Sequence, residues 1–150
     1  MKKNAINKEQ LFAEKAKTYV CCFNAQCPQR EQCLRWEVGQ YAASADRVAT
    51  CVSPVYEHAA DGHCDLFASN QPVTMPVGMK QHFYRQMPGL MERAIKRDLI
   101  DATCRATYYK YHSGLRPITP AMQQLIEDTC RRHGWKGPFR YDGETTDYVW

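Results

Sequence analysis

The chain has 150 residues, of which 44% are hydrophobic and 24% charged, with eight cysteines and a formal net charge of +4. A chain of this length buries roughly 70% of its unfolded surface, so its core does not depend on crosslinks, and its ordinary apolar and charged content excludes wholesale disorder. Eight cysteines are dense for a cytosolic protein and sparse for a disulfide scaffold.

Lys2 and Lys3 open the sequence, but no long apolar run follows, so no secretory signal is expected. No stretch approaches the roughly 18 apolar residues of a membrane span. The expected location is cytoplasmic, where thiols stay reduced and clustered cysteines favour metal or redox chemistry. Charge is unevenly placed. Residues 1–70 are neutral, whereas residues 80–140 hold twelve Lys/Arg against Glu92, Asp98, Asp101, Glu127 and Asp128. Acid returns with Asp142, Glu144 and Asp147.

In chain order, Asn7 and Gln10 resemble a capping box, and the spacing of Leu11, Phe12, Ala16, Tyr19 and Val20 predicts a helix to about Val20. A loop carrying Cys21 to Cys33 follows. Leu34, Val38, Tyr41 and Ala42 predict a second helix ending near Ala43-Ser44. Residues 45–70, with Ser53-Pro54 and Asp61-Gly62, lack a period and read as loop. Gln71-Pro72 to Pro76-Val77-Gly78 reads as a domain boundary. Beyond it, Met79–Met87 reads as a short helix, and Pro88 suits the first turn of the next. Leu90, Met91, Ala94, Ile95, Leu99 and Ile100 form its apolar stripe, opposite Arg93, Lys96 and Arg97. A short helix over Arg105–His112 stops at Ser113-Gly114. Thr119 reads as an N-cap before Pro120, and Gly134 as the residue that ends that helix. The tail from Trp135 reads as a small hairpin or an aromatic strap, with Tyr148 and Trp150 over the core. The fold class is therefore mainly α. It comprises a Cys-rich, metal-clasped helical and loop subdomain over 1–70 and a helical domain over 78–150 with a short irregular or hairpin tail.

Cys22, Cys27 and Cys33 place three thiols within twelve residues of loop. Zinc takes four ligands in a tetrahedron, and thiolates suit it. Cys64 is the expected fourth ligand, with Cys51, Cys21 and His63 behind it. An iron–sulfur cluster is the alternative cofactor, since Cys27-Pro28 matches the Cys-Pro step of some ferredoxins. A third reading has no metal, the cysteines packing as small hydrophobes. Cys104 and Cys130 read as packing residues.

Residues 99–134 run amphipathic helix, turn, short basic helix, glycine, capped helix, the order of a DNA-binding helix-turn-helix. The step from Thr107 to Pro117, Thr-Tyr-Tyr-Lys-Tyr-His-Ser-Gly-Leu-Arg-Pro, resembles the recognition helix of lambda-repressor-like domains. That resemblance implies that Tyr108 and Tyr111 face inward. Arg105, Ala106, Thr107, Tyr109, Lys110 and His112 then face nucleic acid, and Arg116 a phosphate. Cys104 fills the place where that family has a glycine, and the turn is about two residues short of the family's.

The whole chain resembles an uncharacterised bacterial family of Cys-containing proteins of about this length, a domain of unknown function. The carrying residues are Cys22-Phe23-Asn24-Ala25-Gln26-Cys27-Pro28, Cys33-Leu34-Arg35, Cys64, Thr107-Tyr108-Tyr109-Lys110, Gly114-Leu115-Arg116, Thr119-Pro120, Gln123 and Asp147-Tyr148-Val149-Trp150. The resemblance implies no activity. It favours Cys22, Cys27, Cys33 and Cys64 as ligands over Cys21 and Cys51.

No phosphate-binding glycine loop, His-Glu-x-x-His or Gly-x-Ser-x-Gly occurs. Cys104 beside Arg105 is the one thiol considered for nucleophilic chemistry. The expected function is a non-catalytic, metal-stabilised DNA-binding protein of transcription-regulator type, with DNA preferred over RNA as partner. The alternatives are a protein-interaction adaptor with a structural zinc site and an iron–sulfur or thiol-dependent protein.

Overall fold

A computed structural model describes residues 7–42, 48–56 and 62–150. Among these residues the chain is mainly helical, with α1 (Lys8–Lys15), α2 (Leu34–Gly39), α3 (Gly89–Thr103), α4 (Arg105–His112) and α5 (Pro120–Arg132). Two strands complete it, β1 (Val73–Val77) and β2 (Gly143–Asp147). The chain forms two compact units, one of Met1–Gln71 with Tyr148–Trp150, the other of Pro72–Asp147.

In the first unit, the Asn7 side chain accepts from the Glu9 N–H and caps α1. The helix ends at Lys15, short of the expected Val20. The reason is a competing partner. The Cys21 N–H donates to Thr50 O at 3.0 Å and the Val52 N–H to Cys21 O at 2.8 Å, so residues near 21 run extended beside residues 50–52. α2 is a short helix whose last residue, Gly39, lies against this segment. A Cβ there would stand 3.0 Å from Cys22 O. The expected end of this helix at Ala43-Ser44 lies outside the described residues, as does Asp61. Phe12, Ala16, Cys21, Leu34 and Val38 are buried together. Tyr41, Tyr148 and Trp150 set their rings edge-on around Phe12 at 5.4, 5.1 and 5.8 Å. The two C-terminal aromatics thus strap this core.

The proline-bearing segment expected to be a boundary begins where the two units divide, at Gln71 and Pro72, and continues as strand β1 of the second unit. β1 and β2 pair antiparallel, from Val73 opposite Asp147 to Val77 opposite Gly143. The tail therefore does not fold back on itself as a hairpin. Pro76 fits because its carbonyl accepts from the Ile118 N–H at 2.8 Å, away from β2, so its missing N–H removes no ladder bond.

The segment after β1 is a run of turns, not the expected helix over Met79–Met87. It lies between Gly78, at φ +77°, and Pro88; the Asp142 carboxylate takes the N–H groups of Lys80, Gln81 and His82, and the bends close by bonds such as Met87 N–H to Tyr84 O. α3 buries Ile95 and Leu99, but Leu90, expected on the same stripe, is exposed. α5 starts as the sequence predicts, with the Thr119 side chain accepting from the Met122 N–H and Pro120 in the first turn. Tyr84, Ile95, Leu99, Tyr108, Ile118 and Ile126 are at the centre of the second core.

Candidate functional site

Cys22, Cys27, Cys33 and Cys64 line one small cavity of the first unit, of ≈ 20 Å³, space for a single water-sized body. They arrive on separate pieces of backbone. Cys22 donates its N–H to Arg35 O at 2.9 Å, Cys27 sits in a turn closed on Asn24 O, and Cys33 is extended at the start of α2. Residues 64–70 bring the fourth thiol. They are zipped to residues 32–34 by Leu34 N–H to Ala68 O at 2.6 Å and Asn70 N–H to Gln32 O at 3.0 Å. The Arg35 guanidinium fastens two further walls, donating to Leu66 O at 2.8 Å and Val20 O at 3.0 Å. In the cavity wall, the buried Oε1 of Gln29 has no hydrogen-bond partner among the described residues. Sequence reasoning missed Gln29 and Arg35 as parts of this site. Only the Cys33-Leu34-Arg35 triplet pointed toward Arg35, and its role depends on carbonyls 15 and 31 residues away.

The reserve ligands lie elsewhere. Cys21 is fully buried, with its thiol against Tyr19 O at 3.5 Å; burial, then the Cys51 thiol, pushes its pKa up. Cys51 is exposed opposite it. His63 lies 3.4 Å from Asp65. Among the described residues, no group of three or more His, Cys, Asp or Glu side chains is drawn together tightly enough to hold a metal ion. The cavity gathers the four thiols around one space without converging them. Cys130 is buried as expected, its thiol pushed up to about 11 by that burial. Cys104 is exposed and does not pack.

The second candidate region is α4. Tyr108 and Tyr111 are buried, and Arg105, Ala106, Tyr109 and Lys110 are exposed on the opposite face. Arg116 follows in the loop, its N–H donating to Lys110 O at 3.1 Å, which keeps it beside the helix end. The Arg105 guanidinium stands 5.8 Å from the Tyr109 ring centre and that of Arg116 5.2 Å from Tyr111. The ion pairs of this unit are made by Lys96, Arg97, Arg131, His82 and His133. Among the described residues, Arg105, Lys110 and Arg116 form none.

Two of the expected contact residues are less free. Thr107 is half-buried and accepts from the Cys104 thiol at 3.3 Å. His112 stacks on Tyr84, with centroids 6.2 Å apart, and burial, then Lys96, holds its pKa below the usual imidazole value. The link from α3 to α4 is the single residue Cys104, at φ +78° and ψ 153°. The turn of a helix-turn-helix has three or four residues, often with a glycine. The Thr107 hydroxyl, then nearby backbone N–H groups and Lys110, hold the Cys104 thiol below its ordinary pKa.

Compared with known families, residues 1–150 match DUF6078, a family of unknown function. The chain belongs to the DUF6078 family. This agrees with the resemblance carried by its cysteine and aromatic motifs. No curated protein and no solved structure matches this DUF6078 chain. No helix of the DUF6078 chain is long and apolar enough to cross a membrane, among the residues described.

Proposed function

We propose that this protein binds nucleic acid without catalysis, duplex DNA in preference to RNA, and acts as a regulator of transcription type. α4 is its contact helix in a helix-turn-helix-like arrangement, and a zinc ion held by Cys22, Cys27, Cys33 and Cys64 clasps the first unit. One observation carries the nucleic-acid reading. Arg105 and Lys110 on the exposed face of α4, and Arg116 beside its end, have no carboxylate partners among the described residues, while two buried tyrosines fix that helix. Cations left unpaired are free to displace counterions from phosphates. Tyr109, 46% exposed beside Arg105, adds a ring that packs on a base or sugar. Thr107 and His112 support this face from its edge.

The zinc reading is supported by four thiols around one ion-sized cavity and by the unpartnered Oε1 of Gln29 in its wall. The donor set fits zinc, and zinc bound there supplies folding free energy and no reaction chemistry. Arg30 and Arg35 line the same cavity and place positive charge beside the thiolates.

Fluorescence anisotropy with random-sequence duplex DNA tests the nucleic-acid reading. Three phosphate contacts predict that raising salt from about 50 to about 200 mM weakens binding about 40-fold. The variant carrying Arg105→Ala, Lys110→Ala and Arg116→Ala should bind more weakly and lose most of that dependence. Absent binding at about 50 mM salt, or binding indifferent to salt, overturns the reading.

A further inference from the structure

We propose that Cys21 and Cys51 are an oxidation site, joined as an intrachain disulfide when the protein meets a small-molecule disulfide. The inference is independent of the zinc and nucleic-acid readings and uses two thiols that neither absorbs.

Backbone geometry prepares the pair. Cys21 and Cys51 are directly opposite partners in a parallel bridge, held by Cys21 N–H to Thr50 O at 3.0 Å and Val52 N–H to Cys21 O at 2.8 Å. Neighbouring strands lie about 4.8 Å apart, and opposite residues of a parallel pair present their side chains to the same face. A disulfide needs its Cα atoms about 4.4–6.8 Å apart, and the spacing of paired strands falls within that range. The Cys21 thiol gives up only its weak contacts to Ala16 O and Tyr19 O.

Burial divides the roles. Cys51 is exposed and meets the oxidant first, whereas Cys21 is fully buried and closed to solvent. The Cys51 thiolate attacks one sulfur of glutathione disulfide. That S–S bond breaks, and one glutathione thiolate leaves with the bonding electrons. The Cys21 sulfur then attacks the Cys51 sulfur and expels the second glutathione thiolate. The two protons from the protein thiols go to the two glutathione thiolates. Two protein thiols are oxidised, and one glutathione disulfide is reduced to two glutathione thiols.

Cys22 is the rival partner, because it borders a groove together with Cys51. In extended backbone, successive side chains point to opposite faces. Cys21 belongs to the core with Phe12, Leu34 and Val38, whereas Cys22 belongs to the cavity with Cys27, Cys33 and Cys64.

The full chain, reduced and then exposed to glutathione disulfide, is blocked with N-ethylmaleimide, digested and sequenced by tandem mass spectrometry. The expected dominant crosslink joins Cys21 to Cys51, with zinc present or removed. It should disappear in Cys51→Ser, an exposed substitution whose circular dichroism should match the parent, and persist in Cys22→Ser. A dominant crosslink between Cys22 and Cys51, or Cys51 recovered only as a free thiol or as its glutathione adduct, overturns the proposal.

Discussion

The hydroxyl oxygens of Tyr84 and Tyr108 lie 3.0 Å apart inside the second core, with Tyr108 fully buried. Each hydroxyl is the other's partner, so removing one leaves a buried polar group unpaired. Tyr84→Phe or Tyr108→Phe should each cost about 1–3 kcal/mol in a urea titration. The double Phe variant should cost less than the two single losses together, because no orphan remains. Burial pushes the Tyr108 hydroxyl up to about 12, and Tyr84 shifts the same way by burial and then by Tyr108. An unfolded tyrosine titrates near 10, so the unfolded chain loses these protons first. Stability from this pair is therefore complete below about pH 10 and declines as pH rises toward 12. Unfolding midpoints measured across that window should fall, and fall less in the double Phe variant.

Cys104 joins two helices from a backbone region that side chains rarely occupy, at φ +78° and ψ 153°. Holding a non-glycine residue there costs about 1–3 kcal/mol. Cys104→Gly relieves that strain and gives some back through a more flexible unfolded chain. The expected net outcome is a gain of about 1 kcal/mol in a denaturant titration. An unchanged or lower midpoint contradicts it.

Asp142 organises the turns after β1. Its carboxylate accepts from the N–H groups of Lys80, Gln81 and His82 at 2.8, 3.0 and 3.0 Å. Burial raises its pKa, but these donors together outweigh that and hold it below the usual carboxylate range. Its contribution is thus present above the unfolded value near 4 and lost as pH falls through the lower folded value. Asp142→Ala should cost about 3 kcal/mol, with a shallower acid limb than the parent. Gly78→Ala should also destabilise, since φ is +77° and the added Cβ would lie 2.7 Å from the Asp142 Oδ2.

Metal analysis separates the readings of the first unit. Protein purified without oxygen should carry one zinc per chain. Cys64→Ser should lower the zinc affinity and destabilise the first unit, while far-ultraviolet spectra keep the α3–α5 signal. A brown solution absorbing near 400 nm would replace zinc by an iron–sulfur cluster, and metal-free protein would count against both.

Much of the helical part was legible in the sequence. α5 announced itself by Thr119, Pro120 and the spacing of Met122, Ile126 and Cys130, all local signals. α3 was equally plain, although periodicity alone did not exclude Leu90 from the buried face. What escaped notice depends on partners far along the chain. β1 carries a proline and is only five residues long, and its register is set by residues 143–147. Residues 79–87 have helical composition, yet Asp142 and Pro88 frame them as turns. The cysteine spacing and the family motifs single out Cys22, Cys27, Cys33 and Cys64, and these four line one cavity. The cavity they share depends on backbone bonds between residues 32–34 and 68–70, which spacing does not encode.

Tyr148 and Trp150 complete the ring cluster around Phe12, yet they follow the whole second unit in the chain. Synthesis from the N-terminus therefore starts the first unit early and finishes it last. Until Trp150 emerges, Phe12 and Tyr19 lack their cover. A polypeptide cut between residues 65 and 147 carries every cysteine of the first unit but lacks two of the rings around Phe12. Such a chain leaves the Phe12 and Tyr19 rings without the contacts that Tyr148 and Trp150 supply, so loss of these two aromatics should destabilise the first unit.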